Sequence, residues 1–157
     1  MPSLRAAFVL SSIAWALVLP LTPFLVTHGH GSALDTLAVF ASYGIGHLIC
    51  HQRPERSFHL WTAQLPVCAR CTGIYVGAAM ASALAAVTIG PATWPPSRAR
   101  GLFAVAALPT LATLLYEWTT GVAPGNVIRA AAGMPLGAAV AWVVVAATRA
   151  RATPAIR

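Results

Sequence analysis

The chain has 157 residues and is too apolar for a soluble domain. Hydrophobic residues make up 58% of it, its mean hydropathy is +0.74, and only 8% of its residues are charged. Soluble domains are about 45–50% apolar even when glycine is counted. The composition therefore predicts an all-α fold, namely a polytopic bundle of transmembrane helices whose main partner is the lipid bilayer.

The net charge of +7 comes from ten arginines, because the sequence has no lysine and only three acidic residues, Asp35, Glu55 and Glu117. The arginines stand at the ends of apolar runs, whereas a nucleic-acid-binding face gathers its basic residues into one patch. This pattern excludes nucleic acid as a partner. It favours contact with anionic lipid headgroups or with a small anionic substrate.

Apolar runs follow one another along the chain, most of them near the 20 residues or so that cross a bilayer core. They cover about residues 4–26, 33–50, 71–89, 101–118 and 127–148. The first run has an alternative interpretation as a signal peptide, but no A-x-A cleavage site follows it. We therefore predict one integral membrane domain over residues 1–157, with about five spans.

Small residues recur at helical spacing in two of these runs. Gly73 and Gly77 form a GxxxG pair in the third run, and Gly133 and Gly137 lie on one face of the fifth. Small residues allow transmembrane helices to approach each other closely. Arg129 lies one turn before Gly133, and we expect its side chain to lie against the third helix and to point toward the connection at 51–70.

The orientation in the membrane does not follow from the charges alone. Five alternating spans put four arginines on the side of the first helix's start and five on the other, which decides nothing under the positive-inside rule. The first group is Arg5, Arg53, Arg56 and Arg70, and the second is Arg98, Arg100, Arg149, Arg151 and Arg157. If the arginines near the cysteines serve a site and are discounted, the balance favours an outward-facing connection.

The stretch from His47 to Gly73 holds all three cysteines and three of the five histidines. If the second helix continues to His51, then His47, Cys50 and His51 share one face, since residues three and four apart are neighbours on a helix. A second pair, Cys68 and Cys71, stands just before the third apolar run. Two ligand pairs at the facing ends of two helices can converge on one point.

Cys50, His51, Cys68 and Cys71 form a Cys3His set, which is a standard tetrahedral combination for zinc. His47 or His59 is an alternative to His51. Zinc is accordingly the predicted cofactor. Closed sites with four protein ligands are usually structural. A further interpretation is therefore a non-enzymatic transport or assembly subunit in which the metal only stabilises the fold.

Thiol redox chemistry is the competing interpretation of the same cysteines. Cys71 at a helix start, next to Arg70, has features that stabilise a thiolate, and Cys50 would be its exchange partner in a membrane thiol–disulfide oxidoreductase. Geometry separates the two hypotheses. A metal site clusters three sulfurs around one centre, whereas a disulfide brings two of them to about 2.05 Å and leaves the third remote.

Six polar residues are predicted to line a pocket beside the cysteines for an anionic substrate or lipid headgroup. Arginine binds phosphate and carboxylate groups in bidentate fashion, and ionisable residues close to apolar spans tend to pair or to face a cavity. The alternatives are anchoring of the arginines to lipid headgroups and a purely structural Glu117–Arg129 pair. The six residues are Arg53, Arg56, Arg70, Glu117, Asn126 and Arg129.

The motifs in this stretch resemble those of a family of small, functionally uncharacterised prokaryotic integral membrane proteins. The resemblance rests on Cys50-His51-Gln52, on Arg56-Ser57-Phe58, on the run from Pro66 to Gly73 with Tyr75 and Gly77, and on Asn126, Arg129 and Gly133. It implies a multi-pass protein of a prokaryotic cell membrane and groups these residues into one site. It implies no particular activity.

Overall fold

The computed structural model describes residues 4–88 and 96–150 and is built from five helices. The all-helical fold class is confirmed. In chain order the helices are α1 (Leu4–His28), α2 (Ala33–Ile49), α3 (Ala69–Thr88), α4 (Pro96–Thr120) and α5 (Asn126–Ala150). Some helices are longer than the predicted apolar runs, because polar residues at their ends are also helical. The helix α4, for example, begins five residues before the predicted run at 101–118. The end of the predicted 71–89 run lies outside the described residues.

Four of these helices, α1, α3, α4 and α5, are long and apolar enough to cross a membrane. The second helix differs from the span predicted over 33–50, because α2 has only 17 residues. At 1.5 Å of rise per residue it is about 25 Å long, shorter than the roughly 30 Å hydrocarbon core of a bilayer. It begins at a capping box formed by Ser32 and Asp35.

The closest pair in the fold is α3 with α5, and glycine makes it possible. A Cβ atom on Gly73 would lie 1.9 Å from the carbonyl oxygen of Ala130, and one on Gly137 would lie 1.9 Å from that of Ile74. At Gly77 and Gly133 a Cβ atom would lie 2.2 Å and 2.4 Å from the nearest backbone oxygen of the other helix. The GxxxG spacing on both helices therefore brings two backbones into direct contact, as small residues do between membrane helices.

The order of these contacts gives the direction of the two helices. Gly73 meets Ala130, and four residues later Gly77 meets Met134. Both helices advance together, so α3 and α5 are parallel. Their N-terminal ends consequently lie side by side.

The other two long helices run antiparallel to this pair. At one end of the bundle the Arg5 side chain of α1 donates a hydrogen bond to the carbonyl of Ala86, near the end of α3. Further along, the rings of Trp15 and Tyr75 meet edge to face with centroids 6.0 Å apart. In α4, the Thr110 hydroxyl donates to the carbonyl of Ala132 in α5 at 2.7 Å.

Both ends of α2 lie at the end of the bundle where α3 and α5 begin. α2 starts five residues after α1 ends, and Cys50, just after α2, packs with Leu19 of α1 and with Val67, two residues before α3. The predicted placement of Arg5 on the same side of the bundle as the connection is therefore wrong. Arg5 lies at the opposite end, beside the end of α3.

The connection from α2 to α3 folds into a short 3-10 turn at Pro54–Arg56 and a two-stranded antiparallel hairpin. The strands are β1 (His59–Leu60) and β2 (Ala63–Gln64). Trp61 and Thr62 form the two-residue turn, both with positive φ angles of 49° and 72°. The Trp61 ring contacts Phe24 near the end of α1, with centroids 5.5 Å apart.

Candidate metal centre and arginine pocket

The three cysteines converge on one point. Their sulfur atoms all lie within 4.8 Å of one another, and none forms a disulfide. The Cys68 and Cys71 sulfurs are 3.5 Å apart, and the Cys50 sulfur accepts a hydrogen bond from the backbone N–H of Cys68 at 3.2 Å. Two sulfurs on one tetrahedral zinc lie roughly 3.5–4 Å apart, so the donor set and its spacing suit a zinc ion.

Two contacts near the end of α2 place Cys50 in the group of three thiols. The residue ends α2 in an extended conformation, with its N–H bonded to the carbonyl of Gly46 at 2.9 Å. Gly46 in turn lies against the connection, because a Cβ atom there would be 2.1 Å from the carbonyl oxygen of Pro66. Only glycine admits that approach, which brings the end of α2 beside the start of α3.

Cys68 stands at the N-terminal boundary of α3. Its carbonyl accepts from the backbone N–H of Thr72 at 2.9 Å and from the Thr72 hydroxyl at 3.2 Å. One helical turn then sets Cys71 beside it. The CxxC spacing and the helix start together hold the two thiols on the same side.

The surroundings of Cys68 stabilise its thiolate. The hydrogen bond from the Cys71 thiol is the largest cause, supported by hydrogen bonds from the Cys71 backbone and the Cys50 thiol and by the positive charge of Arg129, and together they lower the pKa of Cys68 from 9.0 to about 5. Burial acts in the opposite direction. A thiolate at neutral pH is both a metal ligand and a nucleophile.

No imidazole joins this group of three thiols among the described residues. The helix expected to continue to His51 ends at Ile49, and the chain after it is extended, so His51 does not follow the helical face of Cys50. The exposed His51 side chain lines the same pocket as the cysteines. His47 on α2 and His59 on β1 are also exposed and lie outside the group.

Glu117 near the end of α4 is surrounded by three arginines. Its carboxylate lies 2.6 Å from an Nη of Arg56, 3.8 Å from one of Arg70 and 3.9 Å from one of Arg129. Glu117 is only 7% exposed and Arg129 only 2%. One negative charge thus faces three positive ones in a site largely shielded from solvent.

Several arginine nitrogens in this cluster have no hydrogen-bond partner. They are Nε of Arg70 and both Nε and Nη1 of Arg129. Burying a polar group without a partner costs free energy, and a charged group costs more. Both carboxylate oxygens of Glu117 also lack a hydrogen-bond partner, so charge attraction joins the cluster, and its unused arginine donors are available to a further acceptor.

The thiols and the arginines open into one pocket of about 410 Å³. It is lined by Ile49, Cys50, His51, Arg53, Arg56, Cys68, Arg70, Cys71 and Arg129. Because α3 and α5 are parallel, both helices direct their positive N-terminal ends toward this region. The pocket is electropositive because its arginines and the two helix N-termini are positive, whereas Glu117 contributes a single negative charge.

The remaining predicted residues lie at the edge of the site. Glu117 pairs with the arginines of the pocket, and Asn126, the first residue of α5, donates from its side-chain nitrogen to the carbonyl of Ser57 at 2.9 Å. Asn126 therefore tethers α5 to the connection and does not line the pocket. The pocket's arginines come from the connection, α3 and α5.

Sequence reasoning missed two glutamines that hold the connection in place. The Gln52 side chain donates to the carbonyls of Tyr43 at 2.9 Å and Pro66 at 2.7 Å. The Gln64 side chain donates to the carbonyl of Gln52 at 2.7 Å and to the Ser57 hydroxyl at 3.2 Å. For Gln52 the available signal was its place in the Cys50-His51-Gln52 motif, which assigned it no role.

Residues 50–143 match a family described as "Predicted membrane protein (DUF2085)". The chain belongs to this family. The matched region begins at Cys50 and contains the three thiols, the four pocket arginines and Glu117. It leaves out α1 and α2, so the family's common part is the connection together with α3, α4 and most of α5. The protein is a multi-pass membrane protein, as the family and the four long apolar helices agree.

Two archaeal proteins are similar to part of this chain, and both are described only as uncharacterized. One, from Methanocaldococcus jannaschii, is 36% identical over 69 residues, which are 44% of this chain and 44% of the relative. The other, from Methanothermobacter thermautotrophicus, is 60% identical over 30 residues, 19% of this chain and 27% of the relative. The chain thus matches less than half the length of either relative. No solved structure matches this chain.

Proposed function

We propose that the protein binds a zinc ion through Cys50, Cys68 and Cys71 and uses the adjacent arginine pocket to bind an anionic group, a phosphate or a carboxylate. The observation that supports this most is the convergence of three sulfurs within 4.8 Å on the wall of the pocket that Arg129 also lines. Metal and anion would then share one site.

Three thiolates leave zinc with a fourth coordination position, since the ion is almost always tetrahedral in proteins. Sites with three protein ligands and one open position are typical of zinc that meets a substrate. Here the fourth position faces a pocket in which His51 and the oxygen of a bound anion are the two candidates. His51, predicted from the sequence as the fourth ligand, remains part of the proposal.

The charge of the cluster favours an anion. Three arginines against Glu117 leave an excess of two positive charges, and the unpartnered donors of Arg70 and Arg129 add directional hydrogen bonds. Charge-assisted hydrogen bonds from arginine to phosphate or carboxylate are about twice as strong as neutral ones. An anion would therefore offset the cost of keeping Arg129 buried.

Metal analysis of the detergent-purified protein tests the first half of the proposal. We expect about one zinc per chain, lost in Cys68→Ser and retained in His59→Ala, whose exposed side chain lies outside the thiol group. His51→Ala then identifies the fourth ligand, because weaker zinc retention assigns that role to His51. A wild-type protein without metal overturns the proposal.

Titration with inorganic phosphate tests the second half. We expect binding that weakens in Arg53→Gln, which lines the pocket, and is unchanged in Arg98→Gln, an exposed arginine at the other end of the bundle. Zinc without any phosphate or carboxylate binding would instead support a structural metal in a transport or assembly subunit.

A membrane thiol–disulfide oxidoreductase is the second candidate function. The observation in its favour is the 3.5 Å separation of Cys68 and Cys71 together with the lowered pKa of Cys68. Joining these two thiols would release two electrons and two protons, and a quinone in the membrane is the class of acceptor able to take them. Metal-free protein whose thiol count falls by two on adding a quinone, and recovers on reduction, would favour this function.

A further inference from the structure

We infer that the thiol–arginine pocket opens on the extracytoplasmic side of the membrane, in a bundle that crosses the bilayer four times, and that its anion reaches it from that side. The orientation follows from the contacts between helices and from the placement of the arginines. Only the nature of the ligand rests on the function proposed above.

The first step is that α2 does not cross. Its second half packs on the connection, where the Tyr43 hydroxyl donates to the carbonyl of Gln64 and Gly46 lies against Pro66. Its start follows α1 after a short turn. A helix that starts and ends beside the same hairpin does not reverse the direction of the chain across the membrane.

The second step assigns the ends of the four long helices. The end of α1 contacts the hairpin through Phe24 and Trp61, while the start of α1 contacts the end of α3 through Arg5. Glu117 near the end of α4 meets Arg129 near the start of α5. We call the side with the hairpin, the end of α4 and the starts of α3 and α5 the pocket side, and the opposite one the distal side.

The third step is the charge on each side. The distal side has Arg5, Arg98, Arg100 and Arg149, the last followed in the sequence by Arg151 and Arg157. The pocket side has Arg53, Arg56, Arg70 and Arg129 together with all three acidic residues of the chain. This division differs from the four-to-five count made for five spans, because Arg5 changes sides and Arg129, which that count left out, is included.

The positive-inside rule then assigns the distal side to the cytoplasm. The rule depends on arginine and lysine close to the membrane ends of the helices, and among the described residues four arginines lie on each side. Three of the four on the pocket side are engaged with Glu117, which leaves Arg53 as the pocket-side arginine outside that cluster. The pocket side is accordingly extracytoplasmic.

The surroundings of the pocket indicate how an anion enters. Ile49 at the end of α2 forms part of the pocket wall. The surface of α2 that faces away from the bundle exposes apolar side chains, among them Leu37 and Phe40. An apolar helix on the pocket side, too short to cross, suits the membrane interface. A phosphate group can reach such a pocket as a free ion or as the headgroup of a lipid in the outer leaflet.

Labelling with a membrane-impermeant maleimide in intact cells tests the orientation. We expect His30→Cys and Val122→Cys, both exposed on the pocket side, to label in intact cells above the level of the unsubstituted protein. Ser97→Cys at the start of α4 should label only after permeabilisation. The reverse pattern, or labelling of all three in intact cells, overturns the inference.

The source of the anion is tested with Ile49→Cys, whose exposed side chain lines the pocket without belonging to the arginines that would bind the anion. In sealed right-side-out vesicles, external inorganic phosphate should slow maleimide labelling of this cysteine several-fold if the ligand is the free ion. In nanodiscs without phosphate, phosphatidylglycerol should slow it relative to phosphatidylcholine if the ligand is a headgroup. Protection by neither contradicts the proposed anion site, whereas the orientation is decided by the other three cysteines alone.

Discussion

Gly73 of α3 lies so close to Ala130 of α5 that a Cβ atom on the glycine would be 1.9 Å from the carbonyl oxygen of the alanine. No side chain separates the two backbones at this point. Since the obstacle is backbone and the contact lies two residues after Cys71, we expect the stability of the bundle and the position of the thiols both to depend on this glycine.

Substitution of Gly73 by alanine is therefore expected to destabilise the protein. Overpacking of this kind typically costs about 1–3 kcal/mol, and backbone on the other side allows little relaxation. The midpoint of thermal unfolding in detergent should fall, and zinc retention with it. Gly101→Ala in α4 is the control, because a Cβ there meets nothing within 4 Å. It should stabilise α4 slightly, and equal behaviour of the two variants would contradict the close packing.

Replacement of Glu117 by glutamine should destabilise the protein more than most single substitutions. The change removes the only carboxylate among Arg56, Arg70 and Arg129, and breaking a buried ion pair costs about 3–5 kcal/mol. Added phosphate should restore part of the loss, because it supplies a new negative charge to the same arginines. Thermal unfolding with and without phosphate measures both effects. Glu55→Gln, on the exposed 3-10 turn, should show neither.

Alkylation of Cys68 in metal-free protein should depend on pH with a midpoint near 5 rather than 9. The folded protein lowers the pKa of this thiol, so the thiolate is present above about pH 5 and is lost as the pH falls through that value. This ionisation also stabilises the folded state. Its contribution is fully present above the unfolded pKa of the thiol and is lost as the pH falls through the folded pKa of about 5. Mass spectrometry of the iodoacetamide-treated peptide follows the reaction. Zinc should abolish it, and a midpoint near 9 would contradict the assignment.

Substitution of Gln52 by alanine should weaken zinc binding without touching a ligand. Its side chain joins the end of α2 to Pro66 through two hydrogen bonds, each with a net contribution of about 1 kcal/mol. Their loss frees Cys50 from the pair Cys68 and Cys71. The zinc dissociation constant, measured by competition with a chelator, should rise by roughly one order of magnitude or more. His59→Ala in the same connection should leave it unchanged.

The parts of the fold that follow from sequence are those set by short-range patterns. Apolar runs identified the helices, the GxxxG spacing identified the faces that meet in α3 and α5, and the CxxC motif with Cys50 identified three residues that the structure brings together. The arginine cluster was expected because buried charges need partners.

Other features were not visible because their determinants lie far apart in the chain. From sequence alone the apolar helix α2 has the pattern of a span, whereas in the structure it has 17 residues and its second half packs on the connection. The hairpin has Trp61 and Thr62 at its turn, where Asn-Gly is the usual signal. His51 was placed on a helical face, but α2 ends two residues earlier, at Ile49, and Cys50 after it is extended.

The parallel contact between α3 and α5 also restricts how the pocket can move. Gly73 and Gly77 on one helix and Gly133 and Gly137 on the other leave no side chain between the two backbones, so a sliding motion would have to displace backbone atoms at all four positions. The connection is joined to its surroundings by side-chain hydrogen bonds, among them those of Gln52, Gln64 and Asn126. We therefore expect any change in the shape of the pocket to come from the connection, with α3 and α5 keeping their relative positions.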